Sequence, residues 1–341
     1  MDRAVRRVSL ALQGGGAHGA FTWGVLDRLL EEEDLEIEGI SGTSAGALNG
    51  AALKAGLIAG GRTAARARLD RLWEQVGEIG DFRMLPWLAA FLPAIRFWQT
   101  ASAAMLPFSP QGVAAQLYSP YLFGSRWQNP LEPVVRDLNF SHVCTESGPK
   151  LFITATNVRT GKIKVFRSRE ITPEAILASA CLPTVFQTVE IGGEAYWDGG
   201  YSGNPALFPL YEPELPDDVL VVSINPMRTE HIPDTPLDIQ NRINEISFNA
   251  SLLGELRAIN FVRRLIAEGR LERGTMKAVN IHMVADDGLM NELSADSKLS
   301  PTPLLLGRLK AAGRVAAENF LAEGGQRIGQ EPTADLRGLL A

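Results

Sequence analysis

A serine flanked by two glycines is the first feature of the chain that could carry chemistry. The stretch GISGTSAGALNGAAL, residues 39–53, contains the pattern G-x-S-x-G at Gly42, Ser44 and Gly46. Two glycines allow a sharp turn from a strand into a helix, and a helix N-terminus favours negative charge that develops beside it. We therefore predict that Ser44 is a nucleophile. A serine hydroxyl attacks poorly without a general base, so a base must lie beside it.

Histidine is the usual base, and the chain has four histidines, none in a recognisable catalytic setting. His18 follows a glycine loop by one helical turn, so it could approach the serine. His142 lies in an irregular stretch, His231 in a proline-rich loop, and His282 inside an expected strand. We expect all four to be structural or at the surface, with an electrostatic contribution considered only for His18.

Asp198 offers a carboxylate in a better setting. It follows a strand that ends in Tyr196 and Trp197, and it precedes Gly199 and Gly200. A partly desolvated carboxylate within hydrogen-bond reach of a serine can act as its general base. An Asp-Gly turn at the end of a strand is also common without any catalytic role. The residues alone therefore leave both interpretations open.

The glycine-rich loop at residues 13–20, QGGGAHGA, also has two interpretations. Gly14-x-Gly16-x-x-Gly19 between a strand and a helix is formally a dinucleotide-binding fingerprint. That site also needs an acidic residue at the end of the second strand, whereas here the second strand ends in the serine turn. We favour the alternative, in which amides of Gly14, Gly15 and Gly16 form the oxyanion hole that acyl transfer requires.

The elements around these motifs predict a parallel α/β arrangement. An apolar run, a loop, a helical pattern, a second apolar run, the serine turn and a helix of small residues follow one another. The first run is residues 8–12, the second is 37–41, and the small-residue helix covers 45 to about 60. Further along we expect hairpins at 150–168 and 188–200, strands at 219–224 and 278–284, and helices at 236–269 and 302–321.

We expect a single domain over residues 1–323, followed by a loosely ordered tail at 324–341. Residues 84–110 are rich in aromatic residues, leucine and proline, and carry one charge, Arg96. Prolines interrupt this stretch too often for one core helix. It fits either helices packed over the core or a lid insertion, residues 84–128, that faces acyl chains.

Composition excludes several classes of function. The 341 residues carry a net charge of −6 with dispersed basic residues, so no nucleic-acid surface is expected. Cys144 and Cys181 have no metal-ligand spacing, so we predict no metal and a reducing compartment. The run at 8–12 is too short for a signal peptide, and no window reaches ~18 apolar residues, so a cytoplasmic protein is expected, with peripheral membrane contact left open.

The three motifs together, in this order, resemble the patatin-like phospholipase family. The segment SACLPTVFQTVEIGGEAYWDGGYSGNPA, residues 179–206, is also similar to that family's approach to its D-G-G motif. The resemblance extends over about residues 8–321. It implies a three-layer α/β/α fold with a mainly parallel central sheet, in which Gly19, Gly42, Gly46, Gly199 and Gly200 shape the turns.

The resemblance also implies a mechanism without cofactor or catalytic histidine. Ser44 would attack an acyl ester, typically of a phospholipid or lysophospholipid, and Asp198 would take its proton and later activate water. Two positions depart from the family: His18 stands where an arginine or lysine is common, and Gln13 replaces the leading aspartate. Positive charge near the oxyanion is then weakened or pH-dependent, which makes ester hydrolysis a firmer expectation than phospholipid preference.

Other functions remain alternatives at this point. A carboxylesterase, a thioesterase or an intracellular polyester-oligomer depolymerase would use the same two residues. A dinucleotide-binding oxidoreductase would use Gly14, Gly16 and Gly19, and a non-catalytic scaffold would use none of them. The sequence does not predict an oligomeric state.

Overall fold

The structure is a computed structural model that describes residues 5–80, 121, 128–183, 185–230, 232–272, 274–293 and 295–340. The proline-rich stretch 84–110 and nearly all of the lid interpretation, 84–128, lie outside the described residues. His231 lies outside them too.

Strands of the described residues form one eight-stranded sheet with a parallel centre. Five of them lie in the order β3, β2, β1, β7, β8 and are parallel to one another. The other three pair antiparallel, β4 and β6 with β3, and β5 with β6. The strands are β1 Arg6–Leu12, β2 Leu35–Thr43, β3 Lys150–Asn157, β4 Ile163–Arg167, β5 Val189–Ile191, β6 Glu194–Asp198, β7 Asp218–Val222 and β8 Asn280–Val284.

Helices cover both faces of this sheet. They are α1 Gly19–Leu29, α2 Ala45–Ile79, α3 Glu132–Asp137, α4 Phe140–Val143, α5 Pro173–Ser179, α6 Pro236–Ala267, α7 Asp287–Glu292, α8 Pro303–Glu323 and α9 Leu336–Leu340. Alternate residues of β7 enter two apolar cores, as the period of two in a strand requires. Leu220 and Val222 join the core of α1, α2 and α8, whereas Val219 and Val221 join the core of α6. The three-layer α/β/α expectation is confirmed.

The carboxyl ends of the central parallel strands lie together at one edge of the sheet. The register pairs Leu12 of β1 with both Gly42 of β2 and Val222 of β7, so these strands end level with one another. In open α/β sheets the carboxyl ends of the strands are the usual binding edge. The glycine loop, the serine turn and the residues after β7 are therefore brought to one edge.

The small-residue helix and the charged helical stretch expected after it, residues 61–77, join as α2, with a kink at Gly60 and Gly61, where the backbone leaves helical angles. One expectation differs from the structure. The tail after residue 324 is packed rather than loose: Ile328 is buried, and the amides of Thr333 and Ala334 donate to the Ile281 carbonyl of β8. Its stabilising contacts are with residues distant in sequence, so no local pattern revealed them.

None of the described helices is both long and apolar enough to cross a bilayer.

Candidate active site

The serine turn is strained and tightly packed. β2 ends at Thr43, α2 begins at Ala45, and Ser44 between them has φ 54° and ψ −120°, a region that non-glycine residues rarely occupy. A Cβ atom on Gly46 would lie 2.1 Å from the Leu12 carbonyl oxygen, and one on Gly42 would lie 2.5 Å from the Gly46 carbonyl oxygen. The G-x-S-x-G pattern is therefore required by close packing of α2 on the strand ends.

Strand register brings Asp198 to the serine turn. Thr43 pairs with Thr154 across β2 and β3, and the next residue of β3, Ala155, pairs with Asp198 at the end of β6. Ser44 directly follows Thr43, so Ser44 and Asp198 lie on either side of β3 near the level of Ala155. The Asp198 amide also donates to the Cys181 carbonyl oxygen at 2.8 Å, which anchors this end of β6.

The Asp198 carboxylate is buried and only partly satisfied. Its Oδ1 accepts a hydrogen bond from the Gly200 amide at 2.7 Å, whereas its buried Oδ2 has no partner of regular hydrogen-bond geometry among the described residues. Burial raises the pKa of Asp198 to about 7, an increase that the Gly200 amide and an interaction with the Ser44 hydroxyl partly oppose. A carboxylate with this pKa can gain and lose a proton near neutral pH, as a general base must.

The glycine loop lies directly against the serine. A Cβ atom on Gly14 would be 2.6 Å from the Cβ of Ser44. The Gly14 amide donates to Asn204 Oδ1 at 2.6 Å, and its carbonyl accepts from Asn225 Nδ2 at 2.8 Å. Among the described residues, no group accepts a hydrogen bond from the amides of Gly15 or Gly16. Gly14 is thus held in place, and the two following amides remain free.

Gln13 anchors the start of this loop. Its buried Oε1 accepts from the amides of Ile224 and Asn225, at 2.9 and 3.1 Å, and its Nε2 donates to the carbonyl of Asn204 and to Asn249 Oδ1, at 3.3 and 3.2 Å. An amide side chain supplies both acceptor and donor, whereas an ionised aspartate would supply acceptors alone. This explains how glutamine fits a position where the family has aspartate.

The backbone amide of Ser44 is also occupied. It donates to Ser179 Oγ at 2.9 Å, and Ser179 is the last residue of α5. Because this amide is engaged, it is not free to bind a developing oxyanion. The bond instead fixes the orientation of the strained serine.

His18 is buried and neutral. Its Nε2 is 2.7 Å from Ser297 Oγ, while its Nδ1 has no partner among the described residues. Burial, with a contribution from the positive charge of Lys298, lowers the pKa of His18 to about 3. The imidazole therefore carries no positive charge at neutral pH, and it supplies no cation to the glycine loop.

The other described histidines are bonded elsewhere. His282 Nε2 is 2.8 Å from Asp218 Oδ1, and His142 Nδ1 is 3.3 Å from Asn139 Nδ2. Neither these two nor His18 forms a hydrogen bond to Ser44 or Asp198 in the part of the chain that the structure describes. Ser44 and Asp198, by contrast, lie close enough for their side chains to interact.

Sequence reasoning missed three residues of the site: Ser179, Asn204 and Asn225. Ser179 and Asn204 fall in the segment that resembles the family, so the resemblance could have identified them. Asn225 follows the apolar strand β7 at the binding edge, a position where a polar residue is a usable signal. Within the described residues, no group of three or more His, Cys, Asp or Glu could hold a metal ion.

Comparison with known proteins gives two kinds of match, to solved structures and to a family model. Two similar solved structures are VipD from Legionella pneumophila, with 15% identity and a TM-score of 0.40, and human GIVD cytosolic phospholipase A2 in complex with methyl γ-linolenyl fluorophosphonate, with 13% identity and a TM-score of 0.30. They cover 92% and 95% of this chain, which spans 66% and 61% of their own lengths, less than two thirds of either. No curated protein matches the chain.

The family is shown by the sequence match. A model of the family described as patatin-like phospholipase matches residues 10–211, which is more than half of the chain and includes all three motifs. The chain therefore belongs to the patatin-like phospholipase family.

Proposed function

We propose that this protein is a serine lipid acyl hydrolase that cleaves carboxylic ester bonds of phospholipids or lysophospholipids through a Ser44–Asp198 dyad. One observation carries the proposal: a strained serine at a helix N-terminus lies beside a buried carboxylate whose pKa is raised and whose Oδ2 has no hydrogen-bond partner among the described residues. Family membership supports the lipid substrate class.

The proposed reaction has two steps that share the same groups. Ser44 Oγ attacks the ester carbonyl carbon while Asp198 accepts the hydroxyl proton. The tetrahedral intermediate collapses, the alcohol leaves with that proton, and an acyl-serine remains. Water then attacks the acyl-serine while Asp198 takes its proton, and the fatty acid leaves as Ser44 recovers its proton.

The free amides of Gly15 and Gly16 are the proposed oxyanion donors. The sequence motif also suggested Gly14 as a donor, but its amide donates to Asn204 Oδ1, so we assign Gly14 a positioning role. The N-terminus of α2 adds a favourable dipole at the serine. Removing one such donor typically reduces kcat by about 10²- to 10³-fold in serine hydrolases.

The two cysteines support a proposal for the cellular compartment of the enzyme. Cys144 and Cys181 are both free thiols, and burial raises the pKa of Cys181 to about 12. Free thiols fit a reducing compartment, so we propose a cytoplasmic enzyme that meets its lipid at a membrane surface.

Fluorophosphonate labelling tests the nucleophile. We expect wild-type protein to be labelled at Ser44, and Ser44→Ala to fold normally, escape labelling and lose at least ~10³-fold in turnover, because the covalent route is gone. Ser9→Ala is the matched control: Ser9 is buried and its hydroxyl has no partner among the described residues, so labelling should persist. Retention of more than a tenth of turnover by Ser44→Ala would contradict the assignment.

A substrate panel tests the class of ester. It should include a phospholipid, a lysophospholipid, a short p-nitrophenyl ester, an acyl thioester and a hydroxyalkanoate oligomer. The proposal expects the highest kcat/KM for one of the two lipids. A higher kcat/KM for the thioester or the hydroxyalkanoate oligomer would contradict the proposed lipid substrate and leave the proposed dyad in place.

A further inference from the structure

The inner face of α6, Pro236–Ala267, forms part of the wall behind the active site. The ring of Phe248 lies 2.9 Å from where a Cβ atom on Gly200 would be, and it packs edge-on against Tyr201 with ring centroids 5.2 Å apart. One residue further, buried Asn249 binds Gln13. The helix is therefore in direct contact with the turn that holds Asp198.

The outer face of the same helix carries an apolar stripe. Exposed positions recur every three or four residues along its whole length, which places them on one side of the helix. In order they are Ile239, Ile243, Ile246, Ala250, Gly254, Arg257, Phe261 and Arg264. The three isoleucines are 42%, 51% and 55% exposed, and Phe261 is 51% exposed, so the stripe is a row of large apolar side chains and not a single exposed residue.

The two carboxylates in the middle of α6 are turned away from this stripe. Glu245 faces inward and pairs with Lys298 at 3.0 Å, while Glu255 accepts hydrogen bonds from the amides of Leu207 and Phe208. The acidic residues at the helix start, Asp234 and Asp238, lie before the first isoleucine.

Arginines supply the exposed charge of the stripe itself. Arg257 has no ion pair among the described residues. Arg264 lies over the Phe261 ring at 5.4 Å and is only loosely paired with Glu268, at 3.9 Å. The stripe thus combines large apolar side chains with one arginine that has no ion pair among the described residues, Arg257, and one whose ion pair is long, Arg264.

We propose that the outer face of α6 docks on an anionic lipid bilayer, with Ile239, Ile243 and Ile246 entering the boundary between headgroups and acyl chains. Arg257 and Arg264 would bind lipid phosphates while their alkyl stems cover apolar surface. The inference rests on the proposed function to the extent that this bilayer carries the substrate.

Two features favour a bilayer over a second copy of the chain or a partner helix. The cationic end of the stripe complements anionic headgroups, and polar Gln240, Asn244 and Ser247 lie beside the isoleucines, as in helices that insert only shallowly. Docking also places the catalytic turn about one helix diameter, roughly 10 Å, from the lipid surface.

Vesicle flotation tests the docking without interference from hydrolysis. The Ser44→Ala protein is mixed with vesicles of phosphatidylcholine, or of phosphatidylcholine with phosphatidylglycerol. On this background Ile243→Ser combined with Ile246→Ser should lower partitioning about tenfold or more, because two apolar side chains no longer leave water. Arg257→Gln should lower it about fivefold on the anionic vesicles only.

The matched control uses exposed apolar residues of another helix. Leu304→Ser combined with Val315→Ser changes residues of α8 that are 86% and 59% exposed, and it should leave partitioning unchanged. Equal partitioning of the isoleucine variant and its parent would overturn the proposal. So would light scattering that shows a dimer broken by the isoleucine variant while vesicle binding stays the same, since a second copy would then occupy the stripe.

The outcome is separable from that of the proposed function. With Ser44 restored, the isoleucine variant should hydrolyse a soluble short ester as the wild type does. Intact ester hydrolysis with no vesicle binding would overturn the docking alone. Vesicle binding that depends on the isoleucines, in a wild type that hydrolyses no ester, would overturn the proposed function and support the docking.

Discussion

Two buried aspartates in this molecule have opposite surroundings. Asp218 lies at the start of β7, at the edge away from the serine turn, and its Oδ1 accepts from His282 Nε2 at 2.8 Å and from the Gly329 amide at 2.9 Å. His282 Nδ1 is in turn 3.0 Å from Thr333 Oγ1. This chain of Asp, His and a hydroxyl has the connectivity of a catalytic triad. Asp198, which has no histidine partner in the part of the chain that the structure describes, is the one beside the strained serine.

The difference lies in what each carboxylate leaves unsatisfied. Asp218 ties β7, β8 and the packed tail together, and its histidine is completely buried. Asp198 has a raised pKa and lies beside a strained serine, and within the described ranges its Oδ2 and the amides of Gly15 and Gly16 have no hydrogen-bond partner. Connectivity alone therefore does not identify a catalytic group. Strain and unfilled hydrogen-bonding capacity are the better signs, because both destabilise the fold and both are concentrated at functional sites.

The largest expected effect is that of Asp198→Asn. An amide cannot accept the serine proton, so kcat should fall nearly as far as in Ser44→Ala, by about 10³-fold or more. Because the two residues act as one unit, the double variant should be little worse than either single variant. Steady-state kinetics on a soluble ester measure this. A variant that keeps most of its activity would show that Asp198 is not the base.

A smaller loss is expected for Asn204→Ala. Asn204 holds the Gly14 amide at 2.6 Å, so its removal frees the glycine loop to move away from the oxyanion. We expect kcat to fall by roughly 10- to 100-fold with a smaller change in KM, since the transition state loses more than the bound substrate.

Asn291→Ala is the control for that variant. Asn291 is exposed and donates to the Arg228 carbonyl, remote in role from the glycine loop. It should leave kcat unchanged. If Asn204→Ala also left kcat unchanged while remaining folded, the hydrogen bond between the Gly14 amide and Asn204 would have no part in catalysis.

The pH dependence of stability should reveal the raised pKa of Asp198. The pKa of Asp198 is raised from 3.8 to about 7, so between these values the folded protein binds more protons than the unfolded chain. The stabilising contribution of the neutral acid is complete below about pH 4 and is lost as the pH rises through about 7. At about pH 8 the free energy of unfolding of Asp198→Asn should therefore exceed that of wild type by on the order of a few kcal/mol. This difference in stability should become smaller toward pH 5. Denaturant titrations at the two pH values measure it, and an equal gap at both would contradict the raised pKa.

The smallest effect on catalysis is expected for His282→Ala. It removes the hydrogen bonds to Asp218 and Thr333, and we expect the free energy of unfolding to fall by about 1–3 kcal/mol. Turnover per folded molecule should stay within about twofold of wild type. A loss of turnover that exceeds the loss of folded protein would show that Asp218, His282 and Thr333 take part in catalysis. The difference drawn between Asp218 and Asp198 would then be wrong.

Local patterns predicted the parts of the site that depend on local sequence. Gly42, Ser44 and Gly46 indicate the turn by themselves, and apolar runs with helical spacing between them predict the parallel sheet. Local patterns could not predict the hydrogen bond from the Gly14 amide to Asn204, because the two residues lie 190 positions apart and only the tertiary fold brings them together. The ionisation of His18 was missed for the same reason, since Ser297 and Lys298 reach it from far along the chain.

The most direct test of the Ser44–Asp198 dyad is the pH dependence of the rate constant for fluorophosphonate labelling at Ser44. In wild type the rate should rise with pH through an apparent pKa near 7, because Asp198 must be ionised to accept the proton. The same step should persist in His18→Gln and His282→Gln, and Asp198→Asn should label slowly at every pH. If the step instead persisted in Asp198→Asn and disappeared in His18→Gln, histidine would be the base and the dyad would be wrong.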